Sequence, residues 1–286
     1  MNYIKDTELI LTNKQKVYHL NIDKNDIADN IILVGDQNRV HEVSKYFDKI
    51  SNEIEHREFI THTGTYKNKQ VSVISTGIGC DNIDIVVNEL DAAANIDFNS
   101  RTINKEKKSL NLIRIGTSGA IQGDIPIDSF LMSRYALGFD GLAYFHKNNK
   151  YIDKELTRAF NIHSNWPTNL SKPYIIKGSE NLLRKFNGFE EGITATTSGF
   201  YSPQGRTLRL ESAIPNMHDM LNSFEYDCNK ITNFEMESSA LYFLGQSLGH
   251  NTITICAIMG NRINQTQSNN YKETINKLIV DILERL

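Results

Sequence analysis

The chain has 286 residues, a formal net charge of −3, 40% hydrophobic residues and 23% charged residues. That is ordinary globular composition, and the length suits one large α/β domain or two modest ones. The charge leaves no footprint for nucleic acid or an anionic membrane. No apolar stretch reaches the length of a membrane span, and residues 1–19 are too polar for a secretory signal.

Strand-like and helical patterns alternate along the chain, which predicts an α/β architecture. Residues 31–34 are an apolar run that stops at Gly35, and residues 71–75 a second that stops at Thr76-Gly77. Residues 82–95 read as an amphipathic helix with Ile83, Val86, Val87, Leu90 and Ala94 on one face. Residues 99–109 are polar and charged, a solvated loop or peripheral insertion. Strand character returns at 110–115 and is expected to break at Gly116-Thr117-Ser118-Gly119. Residues 129–144 and 190–198 look like further strand and turn, and 253–259 like a buried strand ending at Gly260-Asn261-Arg262. Ile275, Leu278, Ile279, Ile282 and Leu286 mark a closing helix, capped near Ser268 or Asn269. There is no repeat, low-complexity tract or linker, so one domain over 1–286 is expected, with 1–16 as an N-terminal extension.

Between these elements lie residues suited to chemistry. In residues 233–249, Glu235, Met236 and Glu237 sit where a polar approach turns into a helix with Ala240, Phe243, Leu244 and Leu248 on its apolar stripe. Residues two apart on a helix face different ways, so the two acids are expected to have different jobs. The plain alternative is a pair of acids favouring the helix dipole. Arg114 stands inside an apolar run and needs a carboxylate or a bound anion. Gly35-Asp36-Gln37-Asn38-Arg39 follows a strand with small residues and a guanidinium, either a cradle for an anion or a simple turn. His56-Arg57-Glu58-Phe59 is uninformative alone. Phe200, Gln204 and Arg206 flank a Pro/Gly turn and could clamp a planar heterocycle. Gly77-Ile78-Gly79 lacks the third glycine of a dinucleotide fingerprint, and no P-loop is present. Cys80, Cys228 and Cys256 are scattered and read as reduced thiols of a cytosolic protein; the eight histidines show no zinc spacing.

Taken in order, these pieces resemble the uridine phosphorylase branch of the nucleoside phosphorylase family. The matching residues are Val17-Tyr18-His19-Leu20, GDQNR at 35–39, HREF at 56–59, STGIG at 75–79, RIGTSGAI at 114–121, FYSPQGR at 200–206, NFEMES at 233–238 and NR at 261–262. The resemblance implies an α/β/α sandwich around a mixed, partly barrel-like sheet. It implies reversible phosphorolysis of a nucleoside to free base and ribose 1-phosphate, with inorganic phosphate as co-substrate and no organic cofactor. Carried over, Gly35, Arg39, Arg114 and Thr117 would hold phosphate, with Arg57 arriving from a neighbouring subunit. Glu237 would bind the ribose hydroxyls, with Met236 against the sugar and Glu235 beside it, and His19 would reach the 5′-hydroxyl from the adjacent subunit. Phe200, Gln204, Arg206 and Arg262 would hold the base.

Such shared sites imply self-association, a hexamer of three dimers in the family, in a cytoplasmic enzyme. Some relatives hold a monovalent cation such as K+ at positions matching Glu58, Ile78 and Asn82, where Asn82 replaces the usual serine. Gln37 also departs, standing where the family usually has proline. Purine-directed relatives commonly carry an aspartate after the last core strand. Here the stretch is Met259-Gly260-Asn261-Arg262, so a pyrimidine nucleoside, uridine first, is expected. A purine phosphorylase of the same fold and a non-catalytic nucleoside-binding relative are the alternatives.

Overall fold

The strand β1 (Asn30–Val34) has apolar residues on both faces, and this sets the layering. Ile31 and Leu33 enter one core while Ile32 and Val34 enter another, all four without solvent exposure. A strand buried on both sides must lie inside a sheet covered by helices on each face. The computed structural model, which describes residues 3–147 and 149–286, has that arrangement. After β1 come α1 (Gln37–Ser44), β2 (Lys49–His56), β3 (Phe59–Tyr66), β4 (Lys69–Ser75) and α2 (Cys80–Asn95). The short β5 (Ile96–Asp97) and β6 (Thr102–Ile103) lead into β7 (Asn111–Ala120), β8 (Phe130–Gly138), α3 (Lys154–Ser164), β9 (Tyr174–Lys177) and α4 (Glu180–Lys185). Then follow β10 (Glu190–Thr196), α5 (Met217–Asn222), β11 (Glu225–Tyr226), β12 (Asn229–Glu235), α6 (Ser238–Leu248), β13 (Asn251–Asn261), β14 (Thr266–Gln267) and α7 (Tyr271–Arg285).

The main sheet runs β11-β12-β10-β8-β13-β7-β1-β4-β3-β2, and an added β12–β7 pairing closes β7, β13, β8, β10 and β12 into a small barrel. Helices α2 and α6 share one core with Ile31, Leu33 and Leu112. Residues of α1, α4 and α7 share the other with Ile32, Val34, Ile113 and Ile115. The three-layer, partly barrel-like α/β architecture is thus the one the resemblance implies. Strands β1, β4, β7 and β13 form a parallel run, so Val34, Ser75 and the second half of β7 end on one side. That side is where open α/β sheets place ligands.

Three local expectations are corrected. Strand β7 does not break at Gly116 but continues to Ala120, held by β13 through the pairs Gly116–Cys256, Thr117–Ala257 and Ser118–Ile258. The segment before Glu235 is not a polar approach to a helix. It is the buried strand β12, whose polar side chains find partners: Asn233 Nδ2 donates to Ser118 Oγ at 2.9 Å and its Oδ1 accepts from Thr194 Oγ1 at 2.8 Å. Satisfied in this way, an asparagine can sit in a core without the usual penalty. The closing helix starts at Tyr271, after Asn270, and no side chain caps it. Ser268 Oγ instead donates to Asp128 and accepts from the Asn270 N–H.

Residues 99–109 are mostly exposed, as expected, and Arg101 within them clasps the N-terminal segment. Its guanidinium donates to the carbonyls of Ile4 at 2.9 Å, Lys5 at 3.2 Å and Leu9, and the Ile4 N–H returns to the Arg101 carbonyl at 2.8 Å. Leu9 is thereby buried in the core of α2 and α6. Among the described residues, no helix is long and apolar enough to cross a membrane. Arg101→Ala removes hydrogen bonds from a charged donor whose side chain is only 13% exposed. It should cost about 1–3 kcal/mol of stability in chemical denaturation and make residues 3–12 the first site of limited proteolysis.

Candidate active site

Period two along β7 puts Leu112, Arg114 and Gly116 on the face that α2 and α6 cover. Leu112 fills the apolar core there, whereas Arg114, one pair further on, reaches the start of α6. Gly116 makes room for it. A Cβ at that position would stand 3.2 Å from Arg114 Nη1 and 2.7 Å from Cys256 Sγ, so the glycine is there for close approach. Arg114 is 5% exposed.

Two carboxylates meet it. Glu237 Oε2 accepts from Arg114 Nη2, and Glu235 Oε2 lies 3.6 Å from Nε. The expectation that Glu235 and Glu237 have different jobs holds, since Glu235 gathers N–H groups at the start of α6 while Glu237 faces the cavity, but the reason given for it is corrected. Glu235 ends a strand and Glu237 stands immediately before α6, so the helical rule for residues two apart does not apply to them. Both converge on one guanidinium.

Their other contacts differ. Glu235 is enclosed, accepting from Thr196 Oγ1 at 2.6 Å, the Glu237 N–H at 2.9 Å and the Ser238 N–H at 3.0 Å. Glu237 Oε1 accepts from the Gly79 N–H at 2.8 Å, at a glycine whose φ of 94° an L side chain rarely adopts. Gly79 also stands at the N-terminus of α2, so the STGIG stretch serves to bring a helix start to this acid. Burial, and then the charge of Glu237, push the Glu235 carboxyl up to about 7 despite Arg114 and Thr196. Burial pulls the Arg114 guanidinium down, but Glu237 and Glu235 outweigh it and hold it charged. Arg114 Nε and Nη1 have no hydrogen-bond partner among the described residues.

Above this ion cluster opens a cavity of about 1530 Å³. Gly35, Arg39, Arg114 and Thr117 line one part of it, and Glu235, Met236 and Glu237 its floor. Phe200, Gln204, Arg206 and Arg262 line another part, and Glu58, Ile78 and Asn82 a third. Arg39 enters from the first turn of α1, which Asp36 caps by accepting the Asn38 N–H at 2.9 Å. Its guanidinium has no hydrogen bond or ion pair among the described residues. Burial and then the neighbouring Arg114 hold its affinity for a proton down. Two cations facing one cavity make a field that favours an anion.

At the other end, Gln204 is fixed by guanidinium groups. Its Oε1 accepts from Arg206 at 2.6 Å and from Arg262 at 2.9 Å, and its backbone carbonyl accepts from Arg262 as well. Because guanidinium only donates, the amide oxygen must face the arginines, which leaves Nε2 as the outward group. Arg206 also lies 3.6 Å over the Phe200 ring and donates to the Phe200 carbonyl, and Arg262 lies 4.7 Å over Phe234. Burial, and then Arg206, bring Arg262 down to about 10.

Two expected residues stand outside this cavity. Arg57, at the tip of the β2–β3 hairpin with a φ of 56°, is exposed and donates to Tyr18 Oη at 3.0 Å. His19 is held by Glu89, with Nδ1 to Oε1 at 2.6 Å, and its carbonyl accepts from His56 at 2.9 Å. The pair shares one surface patch but not this chain's own pocket.

Sequence reasoning missed His218, Phe234 and Ser118, which also line the cavity. Phe234 and Ser118 fell inside motifs that were read for their neighbours; His218 has no spacing signal at all. Asn261 is spent on structure. Its Nδ2 donates to the carbonyls of Gln122 at 2.8 Å and Ile125 at 2.9 Å, while Oδ1 accepts the N–H groups of Ile263 and Asn264 at 3.0 Å.

Residues 29–284 match the Phosphorylase superfamily. A uridine phosphorylase of Thermococcus kodakarensis is 31% identical, over 86% of this chain and 78% of that protein. A DeoD-type purine nucleoside phosphorylase of Clostridium novyi is 28% identical, over 93% of this chain and 97% of its own. A solved Trypanosoma brucei nucleoside phosphorylase described as showing uridine phosphorylase activity superimposes with a TM-score of 0.86 at 28% identity, covering 97% of this chain and 99% of its own. Both the matched span and the identity over most of the length lead to one conclusion: the chain belongs to the phosphorylase superfamily.

Proposed function

We propose that this protein is a uridine phosphorylase, cleaving uridine reversibly with inorganic phosphate. The observation that carries the reading is the juxtaposition, in one cavity, of Arg39 from the first turn of α1 and Arg114 from within β7, with Glu237 below and a guanidinium-fixed Gln204 opposite. In this reading phosphate enters between Arg39, Arg114 and Thr117 and relieves the repulsion between two cations. The ribose lies over Met236, its hydroxyls on Glu237, so that C1′ faces the phosphate. A phosphate oxygen then forms a bond to C1′ as the C1′–N1 bond breaks and the sugar passes through an oxocarbenium-like state. The bonding electrons leave with uracil, whose oxygens take hydrogen bonds from Gln204 Nε2 and Arg206. Orientation and fixed charge supply the rate; no protein nucleophile and no organic cofactor is needed.

A pyrimidine fits better than a purine because the last core strand, β13, ends on Asn261, whose hydrogen-bonding groups are all engaged in holding the loop. No acid stands there to protonate a purine ring. The placement of His19 and Arg57 on the surface supports sites completed by a neighbouring copy, and hence a dimer or a larger ring.

A spectrophotometric panel tests the substrate. Uridine should turn over only with phosphate present, and inosine much more slowly. Equal rates in phosphate-free buffer, or faster cleavage of inosine, would refute the assignment. Arg114→Ala should lower kcat/KM by at least about 100-fold, the loss typical of a charge-stabilising donor. Since Glu237 holds that same guanidinium, Glu237→Ala should harm phosphate and sugar binding together. The double variant should then lose little more than the worse single one. Multiplicative losses would mean that the two residues act independently.

A further inference from the structure

His218, on the short helix α5, lines the cavity without belonging to any of the matched motifs. Its Nε2 lies 3.0 Å from Arg262 Nη1. Guanidinium cannot accept, so the imidazole nitrogen must, which requires the neutral ring with its proton on Nδ1. The ring stands edge-on to Phe234, with centroids 5.9 Å apart, and Arg262 lies over that same Phe234. At the same edge of the ring the chain passes so closely at Gly205 (φ 71°) that a Cβ would come within 2.6 Å of Nε2 and 2.7 Å of Cδ2. The Nε2 edge of the imidazole is therefore confined by both the Gly205 turn and Arg262. Arg262 in turn donates to both the carbonyl and the amide oxygen of Gln204.

We propose that His218 is a positioning residue for nucleoside binding, holding Arg262 by a hydrogen bond from guanidinium to neutral imidazole and through it fixing the amide of Gln204. The inference rests on the reading of this pocket as a nucleobase site. Protonation of His218 would replace an acceptor with a cation 3.0 Å from a guanidinium, so the contact breaks and the Gln204 amide loses one of its two anchors. The groups that face the imidazole are Arg262 and Arg206, which disfavour its protonation, and Asp219 together with a hydrogen bond to Gly205, which favour it. Burial is the largest effect, and with the two arginines it holds the imidazole below its ordinary range. The ring is accordingly neutral at pH 7 and charges only in acid. Nucleoside affinity should fall as pH drops through that transition, while phosphate affinity depends on Arg39 and Arg114 at the other end of the cavity.

Two measurements on the full-length protein test this. The first needs no substrate. Imidazole ¹⁵N shifts of selectively labelled protein should show His218 as the Nδ1–H tautomer, titrating at higher pH once Arg262→Ala removes the neighbouring cation. An Nε2–H tautomer, or a titration unmoved by Arg262→Ala, would overturn the proposal. The second is kinetic, at saturating phosphate. His218→Ala should raise KM for uridine about tenfold, the effect of losing one hydrogen bond to a charged group, with kcat and the KM for phosphate within about twofold. His218→Gln, whose amide oxygen can replace Nε2 as acceptor, should restore KM at pH 7 to within about threefold and abolish its rise in acid. A His218→Gln variant that keeps the acid rise would also overturn it. Absence of uridine turnover by the parent protein would instead defeat the substrate assignment, and the tautomer measurement would still decide the role of His218.

Discussion

A guanidinium closed off from water between two carboxylates is the constraint on which the rest of this structure depends. Bringing Arg114 into the sheet interior is costly by itself, and removing one partner from a buried pair typically costs about 3–5 kcal/mol. Glu235 and Glu237 are thus obligatory companions, and they fix where β12 must end and α6 must begin. Glu235 does this from inside, gathering the N–H groups of Glu237 and Ser238 and the hydroxyl of Thr196. Glu237 does it at the pocket floor, joining Arg114 to the start of α2 through Gly79. One ion cluster therefore ties together β7, β10, β12, α2 and α6.

The arrangement also explains how a charged cluster can serve binding rather than merely stability. Arg39 faces the cluster without an ion-pair partner among the described residues, so its charge is left for a ligand. An incoming anion is held by Arg39 together with Arg114, while the acids keep Arg114 in place. The far end of the cavity uses the same device differently. There three side chains, Arg206, Arg262 and Gln204, fix one another so that a single amide group points outward, and burial next to Arg206 makes Arg262 a weaker base than usual.

Much of this was legible in the sequence, for identifiable reasons. Apolar runs that stop at small residues gave β1, β4 and the first half of β7, and the 3.6-residue stripe gave α2, α6 and α7. Arg114 was conspicuous because a guanidinium within an apolar run demands a counter-charge. Nearly all of the residues assigned to the pocket by resemblance do line one cavity. What escaped was long-range pairing. The strand β12 looked polar because the partners of its side chains lie far away in the chain: Ser118 and Thr194 for Asn233, and the Ile193 carbonyl for Thr232. Gly116 looked like a strand end because only the fold reveals that Arg114 and Cys256 crowd it. His218 offered no pattern, since its partner, Arg262, is distant in sequence.

The central claim is that Arg114, held by Glu237, forms with Arg39 and Thr117 the seat of the attacking anion. A crystal structure of the protein with phosphate bound tests this most directly. The account predicts an anion within hydrogen-bond reach of the side chains of Arg39, Arg114 and Thr117, with the ion pair of Arg114 and Glu237 still in place. An anion that binds elsewhere in the cavity and touches neither arginine would contradict it.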